Sequence, residues 1–209
     1  MTAALRPNFF IGIRVAGLRD PIDAIHSRMI QAVPELSPFI TSSAKLHLTG
    51  FVMHLGSQEE IALAADCLRS CQGAADDCFR GQREKSLSFS TVGHFPGNVI
   101  YIPPDEGAVM DSLRYINGRI REAFRAAGIS ITDDREWVPH LTLAKRSRSR
   151  RKVDRSAFDR DALGPDMLPY PLFSELSVIE LLAMGGEGSA ETDPLGAHGY
   201  YRSHAAIRV

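Results

Sequence analysis

Two stretches of the chain hold an imidazole and a hydroxyl two residues apart: His47-Leu48-Thr49 within KLHLTGFVMHL (45–55) and His140-Leu141-Thr142 within WVPHLTLAK (137–145). Histidine titrates near ~6.5, so it can take or give a proton around neutral pH. Cleaving a phosphodiester needs both acts, because the attacking oxygen must lose a proton and the leaving oxygen must gain one. Two histidines, one neutral and one protonated, supply the pair, and each positioned transfer contributes roughly 10²- to 10⁴-fold. Mutual repulsion of two cations helps to split their titrations. The threonine hydroxyls can donate to the non-bridging oxygens where charge accumulates. A single His-x-Thr in a strand is commonplace; its repetition is what points to function. Both copies are Leu-centred, both read as strands, and they stand 93 residues apart, about half of the chain. Spacing leaves open which histidine is acid and which is base.

The elements that must position these residues are legible from pattern. FFIGIRV (9–15) reads as a strand, followed by a helix with Asp20 as N-cap and Pro21 in its first turn. Ile22, Ile25, Met29 and Ile30 give that helix one buried face, with His26 on its surface. The strand of the first motif is followed by a helix with Ser57 as N-cap and Glu60 three residues on, running to about Gln72. Segment 85–95 and Val99–Ile102 read as a hairpin about Pro96-Gly97-Asn98, and 107–127 as a long amphipathic helix stopped by Gly128. Strands near Leu176–Met184 and in YYRSHAAIRV (200–209) complete a mixed α and β order, with the C-terminal stretch closing the second lobe. Strict alternation puts His47, Thr49, Phe51 and Met53 on one face of their strand, and His140 and Thr142 on one face of theirs. The order suggests two similar lobes in a single bilobal domain over 1–209, of class α+β.

Composition narrows the function. With 209 residues, 44% hydrophobic and 23% charged, the chain can bury its own core, and a net charge of −1 argues against a global nucleic-acid-coating role. No apolar run reaches the ~18 residues of a membrane span. Cys67, Cys71 and Cys78 are odd in number and crowded, so no disulfide framework is expected and a cytoplasmic site fits, with the nucleus open. No metal or other cofactor is expected: Cys67 and Cys71 lack completing ligands, and two imidazoles without a carboxylate or thiol at ligand spacing are a poor metal set.

On HLTG (47–50) and HLTL (140–143) the chain resembles the 2H phosphoesterases, defined by two His-x-Thr/Ser-x motifs on strands of a bilobal, LigT-like α+β fold. The longer contexts, including GHFPGNVIYI (93–102) and GYYRSHAAI (199–207), look most like the phosphoesterase domain of the A-kinase anchoring protein 7 group. The resemblance implies two antiparallel lobes around a central cleft. It also implies metal-independent cleavage of 2′,5′-linked oligoadenylates or related RNA-end phosphodiesters, including 2′,3′-cyclic ends, and binding of nucleoside monophosphates. A monomer is expected. The alternative is a binding module that keeps the cleft and lacks turnover, as a sensor or scaffold would.

A nucleotide site needs a stacking surface. Tyr101 matches a position where the family tends to carry a cleft aromatic, Phe95 and Phe51 are alternatives, and Tyr200 or Tyr201 stands near the nucleotide. Trp137, the only tryptophan, reads as a wedge beside the second motif. Lys145 reaches the cleft mouth along the strand of Thr142. It opens KRSRSRRKVDR (145–155), a run that suits RNA phosphates, a nuclear signal or simply a solvated loop. His54 reads as structural, and His94, His198 and His204 have no evident partner.

Overall fold

The computed structural model describes residues 5–133, 135–146, 153–163, 167–187 and 199–209. Strands are β1 (Phe9–Val15), β2 (His47–Met53), β3 (Ser86–Phe89), β4 (Gly93–Phe95), β5 (Val99–Ile102), β6 (Leu141–Lys145), β7 (Leu172–Glu187) and β8 (Tyr201–Arg208). Helices are α1 (Arg19–Ala32), α2 (Gln58–Ser70), α3 (Gln72–Cys78) and α4 (Ala108–Ala126). The strands form an open antiparallel sheet in the order β3-β7-β1-β2-β6-β5-β4, with β8 also pairing β7. The fold is α+β, as expected.

The sheet narrows at one place. Strands β2 and β6 meet through the single pair Leu48↔Leu141, while their outer neighbours pair over several residues. Two unequal lobes result, with β1, β2, β3, β7 and β8 on one side of the seam and β4, β5 and β6 on the other. The lobes are not the two halves of the sequence. Strand β8 closes the lobe of the first motif, which corrects the expectation that the C-terminus completes the second; a long β7 spans β1 and so brings β8 to that side.

Helix α2 is capped by Ser57 as expected, the Glu60 N–H donating to Ser57 Oγ, but Glu60 Oε2 reaches one residue past the cap and accepts from the Gly56 N–H, so the reciprocal half of the capping box is displaced. Helix α1 departs from its pattern. It starts at Arg19 after Leu18, with no side-chain cap, so Asp20 lies inside the first turn, where its charge still suits the helix dipole. His26 is buried, 6% exposed, not on the surface. The hairpin is shorter than read, because only Gly93–Phe95 pairs with β5; Ser86–Phe89 crosses to β7 instead.

One face of the sheet buries Leu48, Leu141 and Leu143 with the apolar stripes of the helices, including Ile116, Ile120 and Phe124 of α4. A smaller cluster of Phe10, Leu182 and Tyr200 packs separately, with Val52 and Tyr201 against it. The cysteines are free thiols, and burial pushes those of Cys67 and Cys71 up. Among the described residues no helix is long and apolar enough to cross a membrane.

Candidate active site

The seam brings both motifs together. Antiparallel pairing of Leu48 with Leu141 fixes the register, and one residue further each way sets His47 against Thr142 and Thr49 against His140. Each histidine thus faces the other motif's threonine, and the imidazoles lie on a diagonal, where neighbouring strands hold residues about 7–8 Å apart. That span suits two groups that address opposite oxygens of one phosphorus. The leucines at 48 and 141 are fully buried, so all four polar side chains share the opposite face, each half-buried.

Both strands slip phase directly after their motif. In β2 the partners of β1 run Gly12↔Thr49 then Ile11↔Phe51, so Gly50 is an extra residue; in β6 the partners of β5 run Tyr101↔Thr142 then Ile100↔Ala144, so Leu143 is extra. Each is a β-bulge three residues after the histidine. The slip turns Phe51 and Met53 into the core, which corrects their expected place beside His47. Phe51 is 2% exposed and packs edge-on against Phe124 of α4, with ring centroids 5.4 Å apart. The same slip moves Val52 and Lys145, each five residues after its histidine, to the cleft side, where both line a groove with His140 and Thr49. Lys145 therefore reaches the cleft by a bulge, not by simple alternation.

Helices brace the bulges crosswise. A Cβ on Gly50 would stand 2.5 Å from Oδ1 of Asn117 on α4, which is buried. Beneath the second motif, the Leu143 carbonyl accepts from the Thr41 N–H at 2.8 Å and also lies against buried His26 of α1. The helix from each half of the chain leans on the motif strand of the other half.

Each imidazole is held in the same way. The carbonyl of the residue two before it accepts from Nδ1–H, Lys45 O at 2.8 Å for His47 and Val138 O at 2.7 Å for His140. A carbonyl can only accept, so Nδ1 carries the proton and Nε2 is the nitrogen that titrates. His47 Nε2 stands 3.1 Å from Thr49 Oγ1. Each ring also sits in an aromatic bracket. His47 lies 4.7 Å from Phe10 and 5.2 Å from Tyr201, centroid to centroid; His140 lies 5.2 Å from both Phe95 and Tyr101. Burial is the main reason that both titrate below the usual value. His47 falls to about 4 despite the Lys45 carbonyl, helped by the charges of His140 and Lys145; His140 is lowered with help from Lys145.

Of the residues singled out in the sequence, His47, Thr49, His140 and Thr142 meet at the seam. Phe95, Tyr101 and Tyr201 flank the imidazoles and Lys145 lines the groove. Phe51 also borders that groove, but with only 2% of its surface exposed its ring packs into the core. Trp137 is a wedge, its Nε1–H donating to the Thr49 carbonyl at 2.7 Å. Phe10 went unnoticed in the sequence, being one apolar residue of a buried-looking strand. So did a buried bidentate ion pair on the same sheet face: Arg14, paired with His47 in the sheet, meets Glu180 at 2.8 and 3.1 Å, with the Tyr200 ring 4.0 Å from its guanidinium carbon. A charge in a strand gives no hint of a partner 166 residues away. Most of the basic run, 147–152, and His198 lie outside the described residues. Among the described residues no three His, Cys, Asp or Glu side chains gather as metal ligands.

An open antiparallel sheet with helices, crossed at its seam by two His-Leu-Thr motifs, defines a 2H phosphoesterase. The profile described as "AKAP7 2′5′ RNA ligase-like domain" matches residues 7–189, and the chain belongs to that family. It is 27% identical over 146 residues to the human protein A-kinase anchor protein 7 isoform gamma, an alignment covering 69% of this chain and 42% of that protein. The chain thus matches under half the length of that relative. In fold it is similar to a crystal structure described as a phosphoesterase, with TM-score 0.52, 15% identity, and coverage of 98% and 99% of the two chains. It is equally similar to Escherichia coli LigT in complex with NADP+, with TM-score 0.52, 14% identity, and 99% of both chains covered.

Proposed function

We propose that this protein is a phosphodiesterase that cleaves 2′,5′-linked oligoadenylate, or related RNA-end phosphodiesters with 2′,3′-cyclic ends among them, by two-histidine acid–base chemistry without a metal. The single observation that carries the reading is the crossed arrangement at the seam. Two Nδ1-tethered imidazoles lie on one diagonal, each opposite the other motif's hydroxyl.

In this mechanism the neutral His47 takes the proton of the attacking hydroxyl or water at Nε2. It is the more strongly desolvated ring and stays unprotonated over the working range. His140, less depressed, gains a proton when the substrate's anionic phosphate arrives, and passes it from Nε2 to the leaving oxygen. Thr49 and Thr142 donate to the non-bridging oxygens, and the Lys145 ammonium balances the charge that develops there. Tyr101, Phe95 and Tyr201 supply aromatic faces for the base. The family description, 2′5′ RNA ligase-like, favours a 2′,5′ linkage, and the bound NADP+ of LigT makes a nucleotide a reasonable first probe.

The test is a panel of 2′,5′-linked, 3′,5′-linked and 2′,3′-cyclic phosphodiesters assayed with EDTA present. Turnover of at least one class is expected, falling by 10²-fold or more in both His47→Asn and His140→Asn. Full activity in either variant, or loss of activity to the chelator, overturns the mechanism. Binding of AMP with no turnover of any member would instead identify a binding module.

A further inference from the structure

The second motif strand is held from beneath by residues that lie outside the cleft. Ile40 pairs with Ala144, and the Thr41 N–H donates to the Leu143 carbonyl at 2.8 Å, so residues 40–41 take up the edge of β6 that β2 leaves after Leu141. That carbonyl is thereby turned away from β5, whose ladder passes from Thr142 directly to Ala144. His26 of α1 faces the same carbonyl. Both residues are more than nine-tenths buried, His26 6% exposed and Thr41 8%. Asp23 Oδ1 stands 3.9 Å from His26 Nδ1, yet among the described residues neither His26 Nε2 nor Thr41 Oγ1 has a hydrogen-bond partner. Buried polar atoms in that state lower stability, and apolar side chains of the same size would fill the space at least as well. Packing alone therefore gives no reason for a polar pair at this spot, and departures from local rules of this kind belong to functional sites.

The bulge decides what the strand shows to the cleft. In a regular strand Lys145 would point to the core side with Leu141 and Leu143; the extra residue sends it to the groove that Thr49 and His140 line. Resting on the reading above for the role of the cleft, we infer that His26 and Thr41 are positioning residues. Their polar edges hold Leu143 out of the β5 ladder and so bring the Lys145 ammonium out beside the two motifs.

Beyond burial, the Lys145 charge helps to lower the titration of both His47 and His140, so the two rings report where the ammonium stands. Their titrations, followed by NMR, test the inference without requiring turnover. In His26→Leu and in Thr41→Val both rings titrate higher than in the wild type, by about as much as in Lys145→Gln, while the melting temperature holds or rises. His26→Gln keeps a polar edge and titrates as the wild type does. Adding Lys145→Gln to His26→Leu moves the rings no further, because both changes remove one charge from one place. Ring titrations unchanged in His26→Leu and Thr41→Val, whatever happens to stability, overturn the inference. So do shifts that add to those of Lys145→Gln. Should His26→Leu not fold, Thr41→Val, which keeps the backbone N–H and the shape of the side chain, decides by the same criterion. A substrate panel with no turnover would sink the phosphodiesterase reading and leave these titrations to be judged on their own.

Discussion

The imidazole of His47 is kept neutral by its surroundings, and the consequence appears in stability. Burial holds His47 near 4 in the folded state, below the ~6.5 of the unfolded chain. As pH falls, the unfolded chain takes up the proton first. The stability conferred by the neutral ring is complete above about 6.5 and is lost as pH drops toward 4. Denaturant unfolding across pH 4 to 7 should therefore show a steeper loss of stability in the wild type than in His47→Asn. The gap is expected to reach on the order of 2 kcal/mol near pH 4, and parallel curves would refute the assignment. His26, His140 and His204 are also lowered, so the wild-type slope is their sum with His47. At this scale the sequence pointed to the four His and Thr side chains that the seam brings together. It was silent on the i−2 carbonyls and the aromatic brackets, because both depend on where the rings point.

At the scale of the element, the two bulges decide what each motif strand presents. Alternation alone misplaces Phe51, and no local signal distinguishes the extra residue from its neighbours: it is Gly50 in one strand and Leu143 in the other. The glycine is required by proximity, since its φ is not in the positive range and the neighbour of a Cβ there would be Asn117 Oδ1 at 2.5 Å. Gly50→Ala should cost about 1–3 kcal/mol by overpacking and should lower kcat through displacement of Thr49. Asn117→Ala should restore part of both in the double variant. Additive losses in a thermal-unfolding cycle would show that the two sites do not touch.

Across the whole molecule, the seam is a narrow joint that one residue steadies, while a buried ion pair stiffens the larger lobe beside it. Trp137, on the approach to the second motif, reaches over to the Thr49 carbonyl in the first. Trp137→Phe keeps the ring and removes the donor, so a loss of about 1–2 kcal/mol should accompany a fall in kcat with less change in KM; an unchanged kcat would confine Trp137 to packing. The Arg14–Glu180 pair ties β1 to β7 beside His47, both side chains almost fully buried. Glu180→Ala should destabilise by on the order of 3 kcal/mol, and Arg14→Met with Glu180→Leu should recover most of it, because removing one charge leaves the other buried while removing both does not. A double variant as unstable as the single one would refute this account.

Residue type and spacing alone marked the two His-Leu-Thr motifs that the sheet brings together at the seam, because the repetition is visible without any knowledge of the fold. They also determined the α+β class and most helix bounds, because capping and apolar periodicity are local. Only the tertiary structure decided that the lobes exchange segments, that β8 and Tyr201 wall the first histidine, and that His26 and Phe51 point inward. Each of these rests on contacts between residues far apart in the chain, and the pattern along one strand or helix does not record what lies across from it.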